Sequence, residues 1–188
     1  HGMNLVNLIH AGPKSLAAKS AWIDALKAGY ADIASLNEAW GTEFASFEAV
    51  ADNKEKMPNK PAPRRDASAF LEAFADRYYK VTSEAIRRND PNHMILGARH
   101  SQGAPAEVIR TESRYNDVVS ATIYGLRPRR SVSNGSLDTD KPWIAGEFHF
   151  QAEDAGLPFR QVEGIYPTQV GRGEAYQDYL ADGFALPN

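Results

Sequence analysis

KPWIAGEFHF, residues 141–150, is an apolar run that a single acid, Glu147, interrupts. Apolar and aromatic residues stand on both sides of that acid, and a short run of this composition predicts a buried β-strand. Burying a carboxylate is unfavourable unless a partner or a function compensates for its lost hydration. A salt bridge to Arg99 or Arg127, or contact with solvent at the strand end, is a purely structural explanation. Glu147 is nevertheless the first candidate for a catalytic residue.

Two further apolar runs precede this one, Met94–Ala98 and Val118–Tyr124, and the three starts lie about 25 residues apart. Helical spacing of apolar residues predicts helices between and around the runs, and residues 52–65, with three prolines, predict a solvated loop. The predicted helices are Ser15–Tyr30, Asp32–Trp40, Asp66–Asn89, Pro105–Ser113 and Thr168–Phe184. Near-continuous apolar strands that alternate with helices indicate an α/β fold with parallel strands.

Composition narrows the function classes. The 188 residues include no cysteine and five scattered histidines, so we expect no metal and no cofactor. The net charge of −3 comes from interspersed acids and bases, which speaks against nucleic acid as a partner. No apolar run is long enough for a membrane helix and no signal peptide is visible, so we expect no membrane partner. The compartment stays open, although secretion or a periplasmic location would suit a parent protein that has lost its leader.

Polar or aromatic side chains gather where each predicted strand ends. Arg99 and His100 follow the first strand, Tyr124 ends the second, and Glu147 ends the third with His149 close behind. In (β/α) barrels the loops at the carboxyl ends of the strands build the active site. A doubly wound sheet would normally carry a Gly-rich phosphate loop, and none is present. These four strand-end residues are candidate substrate-binding residues, although a loop start facing water or an aromatic residue at the barrel rim explains them about equally well.

Several segments resemble one family of enzymes. AWIDALKAGYADIASLNEAWGTEFASF, residues 21–47, is similar to the stretch that follows the fourth strand in clan-A retaining glycoside hydrolases, above all family 50 β-agarases and family 42 β-galactosidases. RRNDPNHMILGARH resembles their fifth strand, YNDVVSATIYG the sixth and DKPWIAGEFHF the seventh, where the nucleophile lies. The sixth strand departs from the pattern, because Ile123 stands where relatives tend to have Asn before the Tyr.

The resemblance implies a partial (β/α)8 TIM barrel, roughly strands five to seven with flanking helices. It implies that Glu147 is the nucleophile of a retaining hydrolase acting on a β-galactoside polysaccharide such as agar. Asn37-Glu38 imitates the acid/base signature of these enzymes but lies in a helical stretch, so we expect the true acid/base residue to be missing from the chain. The isolated chain would then be inactive or feeble. The alternatives are a non-catalytic or degenerate carbohydrate-binding barrel fragment, or a related activity on xylan, mannan or glucan.

The chain is expected to form one incomplete barrel domain over residues 1–188, with residues 1–14 as an irregular or added N-terminal segment. Three strands cannot close a barrel, so sheet edges and residues such as Ile95, Val119 and Ile144 would lie open. We therefore expect a homodimer or higher oligomer that forms through the exposed sheet edges. The segment Met3–Ile9, added as a further strand, is the second way to cover an edge.

Overall fold

The structure is a computed structural model that describes residues 2–101, 104–131, 139–156 and 164–185. The chain divides into two compact units, residues 1–77 and residues 78–188. The first unit consists of helices in its described part, whereas the second combines helices with short strands. The chain is thus a mixed α/β protein with few strands.

The first unit contains α1 (Gly2–Ala11), α2 (Ala17–Gly29), α3 (Ile33–Trp40), α4 (Phe47–Asp52) and the start of α5 (Pro61–Asn89). The sequence predicted the bounds of α3 through its caps. The Asp32 side chain accepts a hydrogen bond from the Ser35 amide at the amino end. Gly41 ends the helix with a φ of 62°, a left-handed conformation that glycine adopts without strain.

Two predictions for this unit are wrong. The predicted loop 52–65 is shorter, because α5 begins at Pro61 and not at Asp66. Proline suits the first helical turn, since its fixed φ is helical and its missing N–H has no partner there in any case. The segment Met3–Ile9 does not form an additional strand, because it lies within α1. Its apolar positions Val6 and Ile9 are three apart and both buried, which is helical spacing.

The core of the first unit is built around His10, Trp22 and Trp40, which are all fully buried. The two indole rings stack with centroids 6.2 Å apart. Trp22 Nε1 donates a hydrogen bond to His10 Nδ1 over 3.1 Å, so this ring nitrogen must be unprotonated. Burial, and after it the positive charge of Lys19, lower the pKa of His10 from 6.5 to about 4. The folded unit therefore holds a neutral imidazole at neutral pH.

Acid should destabilise this unit through His10. Below pH 6.5 His10 becomes protonated in the unfolded chain, whereas in the folded unit it stays neutral down to about pH 4. The free energy of unfolding therefore falls by ~3 kcal/mol as the pH drops from 6.5 to about 4. Above pH 6.5 the histidine makes no pH-dependent contribution. Urea unfolding followed by tryptophan fluorescence at several pH values measures this loss. His10→Gln should remove that part of the pH dependence, whereas the exposed control His93→Gln should retain it. Equal pH dependence in both variants would contradict the assignment.

The second unit contains α6 (Ala106–Ser113), β1 (Val119–Thr122), α7 (Pro128–Ser131), β2 (Trp143–Glu147), β3 (Gln151–Ala152), β4 (Ile165–Tyr166) and α8 (Gln169–Phe184). A 3-10 turn, Glu153–Ala155, follows β3. β1 pairs in parallel with β2, and β3 pairs in parallel with β4. Parallel pairing of the second and third predicted strands agrees with the α/β interpretation.

The first predicted strand, Met94–Ala98, is not a regular strand. The segment follows β1 in the same direction, because Asp117 N donates to Ile95 O over 3.0 Å and His100 forms a parallel bridge with Ala121. Between these points Gly97 has a φ of 81°, and the amides of Ile95 and Ala98 donate to the carboxylates of Asp117 and Glu112. Side-chain acceptors thus replace the backbone partners that a strand requires.

The core of this unit lies between the strands and the helices α6 and α8. Val119 is fully buried, so the expectation that it would lie open is wrong. Ile144 is 42% exposed, in agreement with that expectation. Phe148 and Tyr179 stack with ring centroids 4.4 Å apart, and this contact joins the residue after β2 to α8. The buried core residues are Ile109, Val119, Ala121, Ile123, Phe150, Ala175 and Tyr179.

None of the helices in the described ranges has the length and apolar character needed to span a lipid bilayer. The longest, α5, has 29 residues, and arginine, lysine and acidic residues recur along it.

Candidate active site

Glu147 is the last residue of β2, where the sequence predicted it. Its backbone carbonyl accepts a hydrogen bond from Ile123 N over 2.9 Å, and Thr122 is its register partner on β1. The register shifts between Ala121 and Thr122, so the pairing is irregular just where the strands end. Because the strands are parallel, their carboxyl ends meet at one edge and bring Tyr124 close to Glu147.

Each oxygen of the Glu147 carboxylate has a different side chain as its partner, Oε1 through a hydrogen bond and Oε2 through an ion pair. The hydroxyl of Tyr124 donates to Oε1. Arg99 Nη1 lies 2.8 Å from Oε2, in an ion pair whose side chains are 57% and 38% exposed. A pair this exposed contributes little to stability. Its effect is orientation, since a hydroxyl on one oxygen and a guanidinium on the other hold a solvent-accessible carboxylate in one direction.

Gly146 makes room for the stem of Arg99. A Cβ added at Gly146 would lie 2.9 Å from Arg99 Cγ, 3.1 Å from Arg99 Cδ and 2.5 Å from Ser120 Oγ. The arginine side chain therefore passes directly over the residue that precedes Glu147, and only glycine leaves space for that path.

The two predicted histidines occupy different environments. The His149 ring is exposed and meets the Tyr124 ring edge-on, with centroids 5.5 Å apart. His100 is only 9% exposed, and its Nε2 pairs with Glu112 Oε2. Contact with a sugar requires an accessible ring, so this position favours a structural role for His100 over the predicted substrate contact.

Asn37 and Glu38 lie in α3, as predicted. Asn37 closes the turn that follows this helix: its Oδ1 accepts hydrogen bonds from Thr42 Oγ1 and Phe44 N, both over 2.9 Å, and its Nδ2 donates to Phe44 O. Its amide is thus fully engaged in local structure. Glu38 is exposed on the helix. Asn37-Glu38 thus has the sequence of an acid/base signature, but the hydrogen bonds of Asn37 are those of a residue that stabilises the end of a helix.

Sequence reasoning missed Glu112 and Gly146. Glu112 is fully buried in α6, three residues after the buried Ile109. An acid on the apolar stripe of a short helix is the same kind of signal that drew attention to Glu147. A glycine inside a strand indicates a close approach of another group, and Gly146 fits that rule. Among the described residues, no group of three His, Asp or Glu side chains is arranged to hold a metal ion.

A carboxylate at the carboxyl end of a parallel strand, held by a tyrosine and an arginine, is an arrangement suited to glycoside hydrolase barrels. The chain belongs to glycoside hydrolase family 42, because the family model, described as β-galactosidase, matches residues 14–162. It is also similar to β-agarases.

Beta-agarase B of Vibrio sp. (strain JT0107) is 30% identical over 181 residues, which are 94% of this chain and 19% of that protein. Beta-agarase A of the same strain is 33% identical over 134 residues, which cover 66% of this chain and 13% of that protein. A solved exo-β-agarase superposes with a TM-score of 0.88 at 33% identity over 98% of this chain and 25% of its own. The agarase AgWH50C gives a TM-score of 0.85 at 30% identity, over 95% of this chain and 26% of its own. The chain is therefore a glycoside hydrolase-like segment that spans less than a third of each of these relatives.

Proposed function

We propose that this chain forms strands five to seven, with their helices, of a retaining glycoside hydrolase barrel that acts on a β-galactoside polysaccharide such as agar. Glu147 is the nucleophile in this proposal. The observation that carries it is the carboxylate at the end of β2, with Tyr124 on one oxygen and Arg99 on the other. The names of the relatives, β-agarase and β-galactosidase, support the substrate class.

In the proposed reaction an oxygen of Glu147 attacks the anomeric carbon and the bond to the leaving oxygen breaks. A second carboxylic acid, about 5–5.5 Å away, protonates that oxygen, and an ester links the sugar to Glu147. The second carboxylate then takes a proton from water, which attacks the same carbon and releases Glu147. Two inversions leave the anomeric configuration unchanged.

The neighbours of Glu147 have defined parts in this scheme. Arg99 and Tyr124 hold the carboxylate in line with the anomeric carbon and balance its charge while the ester forms and breaks. In this proposal His149 contacts sugar hydroxyls, and its exposed ring, edge-on to Tyr124, supports that part.

We propose that the acid/base residue lies outside residues 1–188. The only Asn-Glu pair of the chain, Asn37-Glu38, lies in α3, and its asparagine is engaged in closing a turn. The 188-residue chain alone should then be inactive or feeble toward unactivated substrates, because the leaving oxygen would depart unprotonated.

The test is a comparison of the 188-residue chain with the full-length protein that its gene encodes. The full-length protein should release reducing ends from agarose, and a fluorinated β-galactoside inactivator should attach to Glu147, as peptide mass spectrometry would show. Release of product with inverted configuration, or labelling of another carboxylate, would overturn the nucleophile assignment. Binding of agar oligosaccharides without hydrolysis by the full-length protein would favour the carbohydrate-binding alternative.

Self-association through the open side of β2 is also expected. Ile144 on β2 is 42% exposed, Leu180 and Phe184 on α8 are 47% and 85% exposed, and a groove of about 460 Å³ lies between the two elements. Covering these side chains removes apolar surface from water. Light scattering of the 188-residue chain at micromolar concentration should show a dimer or larger species. Leu180→Lys should reduce its mass, whereas Val170→Lys, at a 73% exposed position outside the groove lining, should not. A monomer at every concentration would contradict this expectation.

A further inference from the structure

Glu112 in α6 is a buried carboxylate with three hydrogen-bonding partners. Its Oε1 accepts from Ala98 N and, over 2.7 Å, from Asn116 Nδ2. Its Oε2 pairs with His100 Nε2. Tyr79 of α5 is a further titratable group that faces it, and burial, followed by the charge of Glu112, raises the pKa of Tyr79. A buried acid is retained at low cost only when its oxygens are satisfied in this way.

Two of the three partners belong to the segment that carries Arg99. Ala98 and His100 flank the arginine, and both are held by the same carboxylate. Glu112 also lies against the turn in this segment: a Cβ added at Gly97 would lie 2.7 Å from Glu112 Oε1. Beyond the turn, His100 resumes sheet pairing, donating from its N to Ser120 O over 3.1 Å and accepting from Thr122 N over 2.7 Å. The carboxylate therefore contacts the segment at its turn and at the residue that joins the sheet, one on each side of Arg99.

The direction of the exposed Arg99 side chain depends on the backbone that carries it. Its side chain is 57% exposed, and a long exposed arginine samples many rotamers unless its backbone aims it. From the anchored backbone, the stem passes over Gly146 and the guanidinium reaches Glu147 Oε2 at 2.8 Å.

We propose that Glu112 and His100 form a buried positioning pair for the active site, acting through the backbone of residues 97–100 to place Arg99 on Glu147. This inference rests on the proposed function, in which Glu147 is the nucleophile. Neither residue touches substrate. A substitution at either should lower turnover by displacing Arg99, with KM largely unchanged.

The experiment uses the full-length protein and the variants Glu112→Gln, Arg99→Ala and their combination. Glutamine can still accept from Ala98 N, but toward His100 it presents an amide N–H₂ donor in place of a carboxylate oxygen, so the segment should shift. We expect kcat to fall about 10-fold to 10²-fold. In the Arg99→Ala background the same substitution should have no further effect on kcat. The proposal would be overturned if the double variant lost kcat by the product of the two single losses, or if Glu112→Gln left kcat unchanged. Glu174→Gln, an exposed glutamate on α8, is the control and should behave as the unmodified protein.

A conservative pair of variants separates positioning from folding should Glu112→Gln fail to fold. His100→Gln retains a donor toward Glu112 and should keep most of the kcat, whereas His100→Leu should lose it. Equal kcat in the two would overturn the proposal.

A crystal structure of Glu112→Gln, or of His100→Leu where the first does not fold, gives a readout that is independent of activity. Arg99 Nη1 should lie beyond hydrogen-bonding distance of Glu147 Oε2, and an unchanged contact would refute the inference. If Glu147→Gln and Arg99→Ala leave activity intact, the proposed function fails instead.

Discussion

Glu147→Ala lowers kcat of the full-length protein on a β-galactoside with an activated leaving group by about 10⁴-fold or more, if Glu147 is the nucleophile. Alanine removes the oxygen that attacks the anomeric carbon and leaves Tyr124 and Arg99 facing an empty space. Steady-state hydrolysis of a dinitrophenyl β-galactoside measures the loss, because such a leaving group departs with little need of an acid.

Added azide should restore part of the activity of Glu147→Ala. The small anion should enter the space left by the carboxylate, attack the anomeric carbon in its place and yield the α-galactosyl azide, which restores part of the rate. Glu38→Gln is the matched control, since Glu38 is an exposed glutamate on α3 and should retain full activity. If Glu38→Gln were the inactive variant, or if Glu147→Ala kept its rate, the assignment of the nucleophile would be wrong.

Gly146→Ala should reduce kcat/KM by about 10²-fold although it adds a single methyl group. The new Cβ would lie 2.5 Å from Ser120 Oγ and 2.9 Å from Arg99 Cγ. The serine hydroxyl can turn away by rotation about χ1, whereas the arginine has to leave its path to Glu147. The effect should match that of Arg99→Ala, and the double variant should be no worse than either single variant, because the shortened side chain no longer meets the methyl group.

Gly173→Ala on α8 supplies the control for this substitution, since a Cβ there meets nothing within 4 Å. It should leave kcat/KM unchanged and raise stability slightly, as alanine favours a helix over glycine. Wild-type activity in Gly146→Ala would show that Arg99 can reach Glu147 by another route. Multiplying effects in the double variant would show that the two residues act independently.

Elements with strong local signals were predictable from the sequence. Asp32 and Gly41 determine the ends of α3 through a side-chain acceptor and a left-handed backbone, and both properties belong to the residue itself. Val118–Tyr124 and Trp143–Phe148 contain β1 and β2, because apolar runs of this length bury well in a sheet. The placement of Glu147 at a strand end follows from the same pattern.

Met94–Ala98 shows the limit of that reasoning. Its composition is that of a strand, yet the carboxylates of Asp117 and Glu112 take the hydrogen bonds of Ile95 N and Ala98 N. The two acceptors lie 22 and 14 residues further along the chain, so the local sequence of Met94–Ala98 cannot predict them. Met3–Ile9 lies in a helix for a related reason. A short apolar run suits a strand or a helix, and the burial of Val6 and Ile9, three residues apart, matches the helical period.

The sequence by itself determined the family, the helix ends with capping residues, two of the parallel strands and the candidate nucleophile, because these depend on residue type and short spacing. Only the tertiary structure decided which groups surround Glu147. Arg99, Tyr124 and Gly146 meet there because parallel pairing brings separate strand ends to one edge. The tertiary structure also decided that His100 pairs with the buried Glu112, since a side chain's direction depends on the backbone that carries it and on the partners packed against it.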